Sequence, residues 1–202
     1  GRHKRIIIVG GDQMSSMTNY QDRNTCPIFG DGAAAVLMEA TSENYGLMDS
    51  YMRVDGEGFE NLHMEAGGSA NMPTYRTVEE RLHYVYQEGR PVFKHAVTKM
   101  SDAVETIAKR NGLTNEHITW LVPHQANVRI EQAVARRLGL SADQVMINID
   151  HMANTSGGTL PLCLWEYEPQ LKKGDQIIFT AFGAGFTWGA SYMIWGYDGA
   201  TE

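Results

Sequence analysis

Residues 120–139 read WLVPHQANVRIEQAVARRLG. A short apolar run stops at Pro123, a histidine follows at once, and Ala126, Ile130, Val134 and Leu138 then recur at intervals of four. The run before the proline predicts a strand; the pattern after it predicts a helix from about Ala126 to Leu138, stopped by Gly139. A strand feeding a helix is the repeating unit of an α/β fold. The junction leaves His124, with Gln125 and Asn127 beside it, at the carboxyl end of the strand, where open α/β sheets gather their chemistry.

Working outward, RIIIVGGDQ (5–13) predicts a buried strand, because a β-branched run ends in paired glycines. CPIFGDGAAAVLMEA (26–40) predicts a Gly-Asp-Gly turn and a second strand, and GLMDSYMRVDGEG (46–58) a third. Residues 55–76 are polar and glycine-rich, the composition of a long connecting loop. TVEERLHYVYQEG (77–89) predicts a helix with Thr77 and Glu80 as a capping box. In RPVFKHAVTKMSDAVETIAKRNG (90–112), Val92, Ala96, Met100, Ala103, Val104 and Ile107 share one face, with Pro91 in the first turn and Gly112 at the stop. VMINI (145–149) predicts a strand, HMANTSGG (151–158) a glycine-rich connection, and LPLCLWEYEPQL (160–171) a helix. The last stretch, 174–197, predicts two adjacent strands about a Gly183-Ala184-Gly185 turn, hence an antiparallel pair in a mixed sheet.

Composition narrows the function. The chain has 202 residues, 43% hydrophobic, and a net charge of −7, which suits one domain or two small lobes and disfavours nonspecific nucleic-acid binding. No run approaches the roughly 18 apolar residues of a membrane span, and no signal-peptide pattern opens the chain. Two cysteines, Cys26 and Cys163, are too few for a disulfide framework and fit a reducing cytoplasm. The seven histidines show no HExxH spacing, so no metal is expected.

Three strand ends then carry polar groups: His124, Asn154, and the 183–185 turn. A histidine and an asparagine together offer two neutral donors to an oxygen gaining negative charge, and a glycine-rich turn exposes backbone N–H groups for the same task. A hydrogen-bonded core histidine, a turn-forming asparagine and ordinary turn glycines are the bland alternative.

WLVPHQANVRI, ANTSGGTLP and AFGAGFTWGAS, in that order, together with DRNTCPIFGDGAAAVL, resemble β-ketoacyl-ACP synthase III, a thiolase-like family. The resemblance runs along essentially the whole chain. It implies a thiolase-like layered αβαβα fold with mixed sheets, incomplete in this chain: residues 1–54 ending an N-terminal half, 55–76 connecting, and 77–202 forming a C-terminal half. It implies decarboxylative condensation of an acyl-CoA primer with malonyl-ACP, without a cofactor, at a Cys-His-Asn site. By motif the histidine is His124, the asparagine Asn154, and the oxyanion donor the Ala184 N–H. Arg23, Ile28, Gly89, Phe93, Ala126, Asn127 and Arg129 fall on the phosphopantetheine tunnel or its mouth. Arg129, Arg136 and Arg137 lie near one helix face, a basic ridge for an acyl carrier protein; a solvated face with Glu131 interspersed is the alternative. The family is dimeric.

Neither cysteine fits the nucleophile. Cys26 is followed by Pro27 and an extended IFG, without a helix N-terminus to stabilise thiolate, and Cys163 sits among apolar helix neighbours. In the family the acylated cysteine precedes the segment matching KRIIIVGGD. The expectation is therefore a C-terminal portion carrying half an active site and inactive alone, with a separate chain as one source of the remainder. Three other readings follow: a non-catalytic partner subunit, an acyl transferase that does not condense, and a self-contained thiol hydrolase using Cys26, His124 and Asn154. The hydrolase requires a helix starting at Cys26.

Overall fold

The computed structural model describes residues 3–199. The expected halves 1–54 and 77–202 thus include residues 1, 2 and 200–202, which lie outside the described residues. In chain order the strands and α-helices are β1 (Arg5–Asp12), β2 (Gly32–Glu39), β3 (Gly46–Val54), β4 (Leu62–Met64), α1 (Tyr75–Glu79), β5 (Val85–Gln87), α2 (Gly89–Arg110), β6 (Trp120–Pro123), α3 (Val128–Leu138), α4 (Ile149–Met152), α5 (Thr159–Tyr167), β7 (Gln176–Gly183) and β8 (Thr187–Ile194).

The main sheet runs β3-β8-β7-β6. β6 lies parallel to β7, and β8 is antiparallel to both β7 and β3, so the sheet is mixed. Alternation along the strands sends side chains to two cores. Leu121, Ile178 and Phe182 meet α2 and α3, burying Val92, Ala96, Met100, Ala103, Val104 and Ile107, the face that the helical spacing predicts. Val122 and Ile177 turn the other way, onto Cys163 and Leu164 of α5. Each fully buried Leu, Ile or Val here contributes about 1.5–3 kcal/mol. Helices on both faces of a sheet make the layered arrangement that the resemblance implies.

Several expectations need correcting. β1 is not a buried strand: Ile7 and Val9 are 67% and 70% exposed. Among the described residues it pairs only with β2, and residues 156–158 pack against it. A run of β-branched residues specifies a strand, but burial needs a second layer on each face. β3, grouped by the boundary at 54 with the N-terminal half, is hydrogen-bonded to β8 and so belongs by pairing to the later sheet. The 55–76 connection is partly ordered, holding a 3₁₀ turn (Gly56–Asn61) and β4, which pairs with β5. The helix expected from Thr77 is one short turn, α1, capped by Thr74 rather than Thr77; tertiary pairing with β4 then draws Val85–Gln87 into a strand. VMINI forms no strand; Leu121 and Val145 make one parallel bridge before the chain turns into α4. Among the described residues no helix is long and apolar enough to cross a membrane.

Candidate active site

His124 is delivered by β6. The parallel ladder to β7 ends at Pro123↔Thr180, and the His124 N–H extends it by donating to the Thr180 carbonyl at 2.7 Å. Gln125 is wholly buried and locks the corner behind it. Its Nε2 donates to the carbonyls of Pro123 at 2.8 Å and Met146 at 3.2 Å, and its Oε1 accepts from the Asn148 N–H at 2.9 Å. The Asn127 side chain caps α3, accepting from the Arg129 N–H at 2.9 Å, and Gly139 closes the helix at φ 69°, where a side chain would be strained.

The His124 Nδ1 lies 2.6 Å from the Thr159 hydroxyl oxygen, which is also 2.9 Å from the Ser156 carbonyl. That single hydroxyl proton sets the tautomer. Donated to Nδ1, it leaves Nε2 carrying hydrogen as a donor; donated to Ser156, it leaves Nε2 with a lone pair. Burial pushes the His124 pKa down to about 4, so the ring is neutral at physiological pH.

Asn154 is held from both sides. Its N–H donates to the Ile28 carbonyl at 2.9 Å, and its carbonyl accepts from Gly30 N–H at 3.0 Å. Its Oδ1 accepts from Ser156 N–H at 2.9 Å, which leaves the Nδ2 hydrogens as the side chain's offer to a ligand. The preceding Ala153 has φ 58° and ψ −175°, a region populated almost entirely by glycine, at a cost on the order of 1–3 kcal/mol. Ala184 follows the last β7–β8 pair, Gly183↔Thr187, so its N–H stands outside the ladder.

His124, Asn154 and Ala184 line one cavity of about 980 Å³, together with Ile28, Gly89, Phe93, Ala126 and Asn127. Arg23 and Arg129 are not in its wall; both are exposed, Arg23 between the wall residues Asp22 and Asn24 and Arg129 two positions past Asn127. Arg136 is exposed at the far end of α3, and Arg137 is tied to Asp102 of α2 at 2.7 Å. Glu131, placed by the alternative reading on a solvated face, is instead fully buried. Neither carboxyl oxygen has a hydrogen-bond partner among the described residues. Burial raises its pKa to about 7, against a smaller opposing pull from the nearby backbone N–H groups of Asn127 and Ala126, which stand outside hydrogen-bond geometry.

The sequence reading missed Thr159, Gln125 and Glu131 as groups behind the site. A hydroxyl five residues after Asn154 was the available signal for Thr159. Cys26 sits in a turn with no helix starting at its thiol, and the cavity wall does not include it. Cys163 is fully buried, and burial, then Glu166 and Glu131, push its thiol up to about 12. Among the described residues no cluster of three or more His, Cys, Asp or Glu is placed to hold a metal ion.

Two family models match the chain: 3-oxoacyl-[acyl-carrier-protein (ACP)] synthase III over residues 1–56, and 3-oxoacyl-[acyl-carrier-protein (ACP)] synthase III C terminal over residues 108–195. The chain is 66% identical over 200 residues to the beta-ketoacyl-[acyl-carrier-protein] synthase III of Phocaeicola vulgatus, covering 99% of this chain and 60% of that protein. It is 63% identical over 202 residues to synthase III 2 of Bacteroides thetaiotaomicron, covering 100% and 60%. The solved 3-oxoacyl-(acyl carrier protein) synthase III of Pseudomonas aeruginosa aligns with a TM-score of 0.87 and 35% identity, over 98% of this chain and 60% of that one. The chain therefore spans about 60% of the length of these relatives. The comparisons give no support to an enzyme divided between two polypeptides, or to a chain inactive by itself. The thiolase-like α/β fold is the one these structures share. In sequence and in backbone course along nearly its whole length, the chain is thus similar to members of the 3-oxoacyl-[acyl-carrier-protein] synthase III family.

Proposed function

We propose that the site serves decarboxylative condensation of an acyl-CoA primer with malonyl-ACP, the first carbon–carbon bond of fatty-acid synthesis. The observation that carries the reading is the meeting of His124, Asn154 and the Ala184 turn in one cavity wall. The malonyl C–carboxylate bond breaks, CO₂ leaves, and the electron pair moves onto the thioester as an enolate. His124 Nε2–H and Asn154 Nδ2–H hold that oxygen, with Thr159 giving its proton to Nδ1 so that the ring stays a donor. The enolate carbon attacks the acyl thioester, the Ala184 N–H receives the tetrahedral oxyanion, and thiolate departs. Each such donor is typically worth about 10²–10³ in rate. No cofactor is needed, because the thioester carbonyl accepts the electron pair.

Neither Cys26 nor Cys163 takes the acyl group in this proposal: the first lies outside the cavity wall, and the second is buried with its thiol held protonated. Ile28, Gly89, Phe93, Ala126 and Asn127 guide the pantetheine arm. Arg23, Arg129 and Arg136 meet phosphate or the acidic carrier outside the wall, with Arg137 contributing less because Asp102 already holds it. A junction between two halves within 55–76, a homodimer and a cytoplasmic setting belong to the same proposal; β3 then joins the second half by its pairing. The test is His124→Ala and Asn154→Ala in the full-length protein. Malonyl decarboxylation should fall about 10²–10³-fold in each while acylation from acyl-CoA persists. Unchanged decarboxylation refutes the assignment.

A further inference from the structure

Asn154 stands between two non-glycine residues with positive φ, Ala153 at 58° and Ser156 at 53°. Such conformations persist only where the flanking structure over-determines them. After Ala153, the Ile28 and Gly30 backbone groups grip Asn154 itself. Before Ala153 comes α4, four residues long and without a side-chain cap, too short to stand by its own hydrogen bonds. Gln125 holds the backbone at its start, and one carboxylate on α5 ties its two ends together. Glu166 Oε2 accepts from Asn148 Nδ2 at 2.9 Å, at the start of α4, and both Glu166 oxygens lie 3.0 Å from His151 Nε2, near its end. The other ring nitrogen of His151 lies 2.9 Å from Asp150 Oδ1.

We propose that His151 is a positioning residue: its bridge from α4 to Glu166 of α5 holds the strained Ala153 backbone and so keeps the Asn154 amide turned into the cavity. The inference rests on the reading of Asn154 as an enolate-holding group. Both ring nitrogens face carboxylates, and only the imidazolium can donate from both. Glu166, first, and Asp150 raise the His151 pKa above its ordinary 6.5. The bridge is thus complete below 6.5 and is lost as pH rises through the elevated value. Asp150 on α4 and Glu166 on α5 are the charged groups in contact with the ring. Cys163, on the same helix as Glu166, stays a neutral thiol throughout that range. Gln125, which holds the Asn148 N–H, carries no charge.

The experiment measures kcat and KM for malonyl-thioester decarboxylation between pH 6 and 9.5 in the full-length protein. His151→Ala should lose about tenfold in kcat at unchanged KM, the scale of coupling through a packed element. Adding Ala153→Gly to that variant should restore kcat, since glycine adopts this conformation without needing the bridge. His151→Arg, charged at every pH used, should keep the kcat at pH 6 and flatten the alkaline decline. Wild-type kcat in His151→Ala, a loss that Ala153→Gly does not restore, or an unaltered alkaline limb in His151→Arg would each overturn the proposal. Asn154→Ala separates the two levels. If it leaves decarboxylation intact, the reading of Asn154 has failed and the bridge with it. If it cripples the reaction while His151→Ala does not, the bridge alone has failed.

Discussion

Two influences meet on the His124 ring: burial, which lowers its pKa to about 4, and the Thr159 hydroxyl, 2.6 Å from Nδ1. The first keeps the ring neutral; the second decides which nitrogen carries the remaining proton. Thr159→Val removes the hydroxyl and keeps the shape, so decarboxylation should drop roughly tenfold to a hundredfold, less than the 10²–10³ of losing the donor outright. Thr159→Ser should retain activity. Equal rates for the Val and Ser variants would show that the hydroxyl does not set the tautomer. The ring carbons of His124, followed by NMR, should show no protonation until the pH falls well below 6.5, toward 4. His124 itself could be found from its place at a strand end. Thr159 offered only its nearness to Asn154; its contact with the ring could not be read, because 35 residues of chain separate the two.

At the scale of the element, α3 combines a structural and a ligand-facing role in one residue. Asn127 caps the helix through Oδ1 and also lines the cavity. Asn127→Ala should cost about 1 kcal/mol of stability, whereas Asn127→Asp keeps the cap oxygen and should not. Both variants lose the amide donor, so both should raise the KM for a pantetheine substrate; a normal KM in the aspartate variant would remove Asn127 from the tunnel. Farther along the helix, Arg129→Glu with Arg136→Glu should raise the KM for a carrier-bound substrate well above that for its CoA counterpart, and salt should narrow the gap. Equal effects on both substrates would place the carrier elsewhere. The α3 period was legible because apolar residues recur at fours. That Arg137 pairs with Asp102 was not, because it depends on how α2 crosses α3.

For the molecule as a whole, Glu131 carries a cost that varies with pH. Its folded pKa, about 7, lies above the ordinary 4.5, so the folded state holds its proton more tightly than the unfolded one. Stability from this group is complete below 4.5 and lost as pH rises to about 7. His124 acts oppositely, gaining stability as pH rises from about 4 to 6.5, so the two slopes offset one another in the parent protein. Glu131→Gln should therefore become more stable than the parent on the order of 3 kcal/mol by pH 8, with little difference at pH 4.5. Denaturant unfolding at the two pH values checks it; a constant difference would mean that Glu131 does not titrate on folding. What the chain's order of residues determined alone was local and periodic: the α2 face from Val92 to Ile107, the strand ending at Pro123, the Gly139 stop, and the His124 and 183–185 positions at strand ends; Asn154 follows the short helix α4 instead. Side-chain period and turn chemistry act over a few residues, so a sequence displays them directly. Burial and pairing were decided only in three dimensions. The Ile6–Val9 run lies open, β3 joins β8 across more than 130 residues, VMINI forgoes its strand for α4, and Glu131 goes inside. Each of those outcomes depends on which surface arrives opposite the segment, and segments distant in the chain supply that surface.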